Sequence, residues 1–164
     1  MRMRGRLVIF CGIPGSGKTT VAKVTAQKLP NAVHVQTDAV RGMLSHPNFG
    51  GDESEFVYDG CMAVAGQALR RGYTVLLDGT FMREEYRTKA KDQLGKYSSR
   101  IDVVYVACGL EAALKRNSSR KASIPPEKVR SIWERFEEPK RAIRVDSARL
   151  RPSQAAARIV GALF

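Results

Sequence analysis

The sequence predicts a three-layer α/β domain built on a mostly parallel, five-stranded sheet. Short β-rich runs alternate with helix-like stretches along the whole chain, the pattern of a sheet covered by helices on both faces. The runs VLL at 75–77 and VVYV at 103–106 are apolar without interruption, as strands buried on both faces are. At 164 residues and 43% hydrophobic content, residues 1–164 read as a single domain able to bury most of its apolar surface.

RLVIFCG, residues 6–12, is the first strand, ended by glycine. Thr19 to Leu29 places Val21, Val24 and Leu29 on one face and stops at Pro30, which marks a helix. AVHVQT at 32–37 alternates and forms the second strand; DAVRGMLSH follows as a short helix with Asp38 as its cap. HPNFGGDES is a loop, and a long helix runs from about Glu53 to Arg71, stopped by Gly72. YTVLLDG is the third strand, Arg83–Ser98 an exposed amphipathic helix, and IDVVYVAC, residues 101–108, the fourth strand. Leu110 to about Lys121 reads as a helix with a basic end, and Pro125–Pro126 open another whose apolar side is Val129, Ile132, Trp133 and Phe136. AIRVD at 142–146 is a weak fifth strand, and Ser153 caps a terminal helix running to Leu163.

Composition narrows the class. The longest apolar runs are far too short to span a bilayer, and the basic start MRMRGR lacks the apolar core of a secretion signal. Cys11, Cys61 and Cys108 are scattered with no CxxC pair, which argues against a disulfide framework or zinc site and fits a reducing cytoplasm. A net charge of +12 attracts polyanions, unless it is spread evenly over a solvated surface.

In such sheets ligands bind at the carboxyl ends of the strands. After the first strand stands Gly12-Ile13-Pro14-Gly15-Ser16-Gly17-Lys18-Thr19, which matches GxxxxGK[ST] between a strand and a helix. Backbone N–H groups must converge on phosphate oxygens there, and side chains would block the approach. The following helix aims its positive end at the anion. Lys18 adds a full charge toward the β- and γ-phosphates, and Thr19 offers a hydroxyl to Mg²⁺.

Three further places bear on what receives the phosphate. Asp38 and Arg41 lie one helical turn apart. Asp38 can take a proton from an attacking hydroxyl while Arg41 holds an anionic group; equally, they form a cap and a surface pair. Asp78 ends the third strand, where a carboxylate orients the water shell of Mg²⁺ or simply begins a turn with Gly79. Lys115, Arg116, Arg120 and Lys121 crowd one helix end. Arg116 and Arg120, at i,i+4, can both reach one triphosphate or interact with the helix C-terminus.

GIPGSGKTT, TDAVR, LLDGTF and KRNSSR followed by IPPEKVRSIWERFEEP resemble the P-loop kinases, in particular the polynucleotide 5′-hydroxyl kinase branch. The resemblance covers roughly Leu7 to Pro139. It implies a kinase-type sheet of order 2-3-1-4-5 and a movable lid at about 115–126. It also implies ATP and Mg²⁺, held by Gly12, Pro14, Gly15, Ser16, Gly17, Lys18, Thr19 and Thr20, with Arg116 and Arg120 from the lid and Thr19 and Asp78 toward the metal. Asp38 is then the general base, Arg41 the ligand of the acceptor's phosphate, and Lys18 and Arg120 the cations on the donor phosphates. One departure is Phe81 where many relatives carry Asn.

Charge placement points to nucleic acid as acceptor. Lys140, Arg141, Arg144, Arg149, Arg151 and Arg158 face a single Asp146 along 140–158, and Arg70, Arg71, Arg83 and Arg87 flank the third strand. Phe49, Phe81 or Tyr86 can stack a strand end, though each also suits ordinary packing. Trp133 packs its helix on the sheet or borders the adenine, His34 is structural within its strand, and His46 has no metal partner. The expected reaction is transfer of the γ-phosphate of ATP to a 5′-hydroxyl of RNA or DNA in the cytoplasm. The alternatives are a kinase of a sugar, nucleoside or antibiotic, and a nucleotide-gated RNA-binding switch.

Overall fold

A computed structural model describes residues 4–164; residues 1–3, the beginning of the basic start MRMRGR, lie outside the described residues. Its central strand, β1 (Gly5–Cys11), is fully buried from Leu7 to Cys11 because strands pair on both edges and helices cover both faces. With β2 (Ala32–Gln36), β3 (Thr74–Asp78), β4 (Ser98–Ala107) and β5 (Ile143–Asp146) it forms a sheet of order β2-β3-β1-β4-β5. Every pairing is parallel. The alternating pattern predicts this sheet, and the order is the one implied by the family resemblance.

Strand alternation divides the core in two. Leu7, Ile9 and Cys11 face α3 (Gly51–Arg70) and α4 (Glu84–Leu94), packing on Cys61, Ala65, Leu69, Ala90 and Leu94. Val8 and Phe10 face the opposite way, onto Val21 and Ala22 of α1 (Lys18–Gln27) and Ala155, Ile159 and Leu163 of α7 (Pro152–Leu163). A third, smaller cluster joins Ile13 and Cys108 to Ala113 of α5 (Leu110–Ser118) and to Ile132 and Phe136 at α6 (Pro126–Arg135). The segment after β1 is thus packed directly on the α5–α6 pair. Among the described residues no helix is long and apolar enough to cross a membrane.

Local departures from the sequence expectations have identifiable causes. The helix after β2, α2 (Thr37–Arg41), begins one residue earlier than predicted, and Asp38 lies in its first turn without capping it. Ser153 does not cap α7 either: Arg151 is the N-cap residue, and its N–H donates to the Gln154 side chain at 3.0 Å. β4 starts at Ser98 because a 3₁₀ turn, Gly95–Tyr97, ends the preceding helix early. α5 stops at Ser118 rather than Lys121. There the buried Asn117 donates to the Ile124 carbonyl (2.7 Å) and accepts from the Ile124 N–H (3.2 Å), closing a loop. Trp133 joins none of the apolar clusters and is 39% exposed, so it does not pack its helix on the sheet.

The largest correction concerns α4. Arg87, counted above among the cations available to nucleic acid, is fully buried. Its Nη1 donates to the Phe81 carbonyl (2.6 Å) and its Nη2 to the Glu137 carbonyl (2.7 Å) and to Glu84 Oε2 (2.8 Å). One guanidinium therefore ties the segment after β3 to the segment after α6. Phe81 is itself fully buried, edge-on to Tyr58 at 5.3 Å, so it cannot stack a nucleic-acid base. Its φ of 42° is unusual for a bulky residue, and the Arg87 bond and the Tyr58 contact hold it there.

Two predictions follow from this packing. Arg87→Met strands two carbonyls and lowers stability by about 3 kcal/mol in urea denaturation; Arg87→Lys does not restore it, since one ammonium cannot bridge both sites. Cys11, Cys61 and Cys108 are all buried, and burial pushes the Cys11 thiol up to about 12 against the opposing pull of Arg87 and Lys18. Burial likewise raises Cys61 to about 11. The folded protein therefore resists a thiol reagent at pH 8, where the Cys11 thiolate is on the order of one in ten thousand, and all three cysteines react once it is unfolded.

Candidate active site

Parallel register places the key residues of the site. β1 and β3 pair with Phe10 level with Asp78, so the carboxylate lies beside the strand end from which the glycine segment leaves. The Gly12 N–H donates to the Thr80 carbonyl and the Gly79 N–H to the Phe10 carbonyl, both at 3.3 Å. Beyond that point the chain turns through two left-handed glycines, Gly15 (φ 82°) and Gly17 (φ 85°), the latter being the N-cap of α1. A Cβ on Gly15 would stand 2.2 Å from the Ala113 carbonyl oxygen. Glycine is therefore required both for the turn and for the close approach of α5.

A cleft of about 870 Å³ opens above these strand ends. It brings together Pro14, Lys18, Thr19, Asp38, Arg41, Asp78 and Arg120 from the predicted site residues. Lys18 is only 8% exposed, held where α1 begins. Ser16 is buried, and its Oγ has no hydrogen-bond partner. Asp78 is 2% exposed; its Oδ2 lies 3.0 Å from His34 Nε2, while Oδ1 has no partner. A half-satisfied buried carboxylate next to a glycine loop fits the need for a cation. Among the described residues no group of three His, Cys, Asp or Glu side chains could hold a metal. Thr19 and Asp78 both line the cleft and could serve a Mg²⁺ that completes its shell with phosphate and water.

The remaining predicted residues are placed differently. Thr20 is exposed on α1 and does not line the cleft. Arg116 donates to the Ser16 carbonyl (3.2 Å), to Ser147 Oγ (2.8 Å) and to the Ser147 carbonyl (2.9 Å), bracing the glycine loop from outside the cleft. Arg120 instead reaches Asp38 Oδ2 at 3.5 Å across the cleft. The two arginines do not converge on one point because the helix that would have set them at i,i+4 ends at Ser118.

Arg41 is ion-paired with Glu53 and lies over the Phe49 ring at 4.9 Å. Glu53 also accepts from the Asn48 N–H at 2.6 Å and the Phe49 N–H at 3.0 Å. Chiefly the Asn48 N–H, with Arg41 and the Phe49 N–H, holds its carboxyl below the usual carboxylate range, against the effect of desolvation. An anion approaching Arg41 must therefore compete with a carboxylate already in place. Tyr58 lies on the cleft wall, and burial pushes its hydroxyl up to about 12. Two residues, Glu53 and Tyr58, and the interaction of His34 with Asp78 escaped the sequence reading. Glu53 was visible only as one charge in a helix start, and the other two depend on tertiary contacts.

Comparison with known proteins agrees with this fold. A family described as an AAA domain matches residues 7–139. The L-seryl-tRNA(Sec) kinase of Methanococcus maripaludis is 27% identical over 140 residues, which cover 81% of this chain and 53% of that protein. The chain thus spans about half the length of that relative. Among solved structures, the APS kinase of Mycobacterium tuberculosis, in complex with AMPPNP and APS, superposes with a TM-score of 0.79 at 21% identity, covering 98% of each chain. A sugar kinase from Janibacter sp. HTCC2649 does so with 0.74 at 21% identity, covering 97% of this chain and 94% of that one. These likenesses establish the shared fold. Glycine loop, sheet order and the match over residues 7–139 agree, and the chain belongs to this AAA-domain family.

Proposed function

We propose that the protein is an ATP-dependent kinase that transfers the γ-phosphate of ATP to the hydroxyl of a small acceptor. The observation that carries this reading is the single cleft in which Lys18 and Thr19 of the glycine loop lie with Asp78, Asp38 and Arg120. Its volume of about 870 Å³ suits a triphosphate tail and a small molecule. The names of the APS and sugar kinases specify small acceptors of this kind, whereas that of the L-seryl-tRNA(Sec) kinase specifies an aminoacyl group carried on RNA.

In this reading the amides of the loop and Lys18 bind the phosphate chain. Thr19 and Asp78 hold Mg²⁺, which when bound neutralises phosphate charge. Asp38 accepts the proton of the acceptor hydroxyl as its oxygen bonds to the γ-phosphorus, and the bond to the bridging oxygen of ADP breaks. Arg120, on the loop that acts as a lid, turns from Asp38 to the developing charge on the phosphates. Arg116 orients the glycine loop.

The 5′-hydroxyl end of RNA or DNA has less support. Arg87 is buried, Arg41 is paired with Glu53, Arg144 with Glu138 and Arg149 with Asp146. Phe81 is closed to stacking as well. Three of the ten cations counted toward a polynucleotide, Arg87, Arg144 and Arg149, are thus buried or paired.

Incubation with γ-labelled ATP and a panel of sugars, nucleosides, aminoacyl alcohols and 5′-hydroxyl oligonucleotides tests the assignment. Label is expected on a small alcohol; label confined to oligonucleotides would restore the polynucleotide reading. Asp38→Ala lowers kcat by about 10²-fold or more while nucleotide affinity, measured by calorimetry, changes less than about twofold. Gly15→Ala abolishes nucleotide binding in the same titration, because the new methyl group meets the Ala113 carbonyl.

A further inference from the structure

We infer that His34 is a positioning residue for Asp78: a Gln36–His34–Asp78 chain of hydrogen bonds fixes the carboxylate so that its free oxygen is presented to the nucleotide's metal ion. The inference rests on the reading above only in taking Asp78 as the carboxylate that serves that ion.

The placement follows from strand register. β2 pairs with β3 so that His34 lies level with Leu76 and Gln36 with Asp78. Residues two apart on a strand share a face. Leu76 packs in the cluster with Val21 and Ala22 of α1, so His34, Gln36 and Asp78 all belong to the α1 side of the sheet. That is the side on which α1 begins, with Lys18 and Thr19 at its first turn.

The hydrogen bonds then assign roles. The Gln36 amide nitrogen lies 3.3 Å from His34 Nδ1. An amide N–H only donates, so Nδ1 accepts, and the ring proton sits on Nε2, facing Asp78 Oδ2 at 3.0 Å. His34 thereby engages one carboxylate oxygen and fixes the torsion of the group. The other, Oδ1, is buried and has no partner. A carboxylate with both oxygens free could rotate, or draw water or a neighbouring cation to either face. With Oδ2 occupied, one oxygen and one orientation are left for a ligand. Outer partners of this type commonly alter metal affinity by about 10- to 100-fold.

The test uses Mn²⁺ as the probe, with its affinity for the complex of the protein and AMPPNP measured by electron paramagnetic resonance. Nucleotide affinity in EDTA serves as a metal-free reference. His34→Leu keeps the bulk and donates nothing; it is expected to weaken Mn²⁺ about tenfold with metal-free nucleotide affinity unchanged. His34→Gln, whose amide can donate to Asp78, is expected to recover most of that loss. Gln36→Leu, at a partly exposed site on the edge strand, is expected to weaken Mn²⁺ less than His34→Leu does. Asp78→Asn separates this inference from the reading beneath it. If Asp78→Asn loses Mn²⁺ affinity and His34→Leu does not, the role of His34 is overturned and the metal role of Asp78 stands. Wild-type Mn²⁺ affinity in Asp78→Asn removes both. Equal weakening in His34→Leu and His34→Gln, or a parallel loss of metal-free nucleotide binding, also overturns it, since bulk or fold rather than a donated hydrogen bond would then be at work.

Discussion

The cleft depends on keeping backbone amides bare at the carboxyl end of β1. A loop able to wrap phosphates has few side chains to stabilise it, so neighbours must do so. α5 approaches so closely that Gly15 has no room for a methyl group. Ile13 packs on Cys108 and Ala113, and Arg116 holds the Ser16 carbonyl from the far side. Rigidity is therefore imported from α5 (Leu110–Ser118), and any shift of that helix bears directly on the glycine loop.

Electrostatics within the cleft are more balanced than a net charge of +12 suggests. Asp38 and Arg120 face one another at the surface, a pairing that solvent weakens and that phosphate can displace. Arg41 and Glu53 form a tighter unit, because backbone amides of Asn48 and Phe49 also converge on Glu53. Lys18 alone stands without a carboxylate partner among the described ion pairs while nearly buried. A buried, unpaired ammonium next to a glycine loop is costly without an anion, and this places the strongest demand for phosphate at that residue.

Much of this was legible beforehand for a simple reason: motifs made of consecutive residues carry their own geometry. GIPGSGKTT could be read because a strand, a bare loop and a helix start lie in one stretch of chain. Asp78 was legible because it ends an apolar run. Arg87 was not, since nothing local distinguishes an arginine that bonds two distant carbonyls from one in solvent. The convergence of Arg116 with Arg120 was misread, because their spacing assumed a helix that Asn117 ends by binding Ile124. His34 looked like an ordinary strand residue until β2 was set beside β3.

Hydrophobic periodicity and the glycine motif by themselves determined the layers, the parallel sheet and the loop that serves phosphate, since each is a property of neighbours along the chain. Tertiary structure alone decided which charges are free. Whether Arg41, Arg87, Arg116 and Asp78 face solvent, a carbonyl, a carboxylate or an imidazole depends on strand register and on helix ends packed many residues away, and no local pattern encodes those contacts.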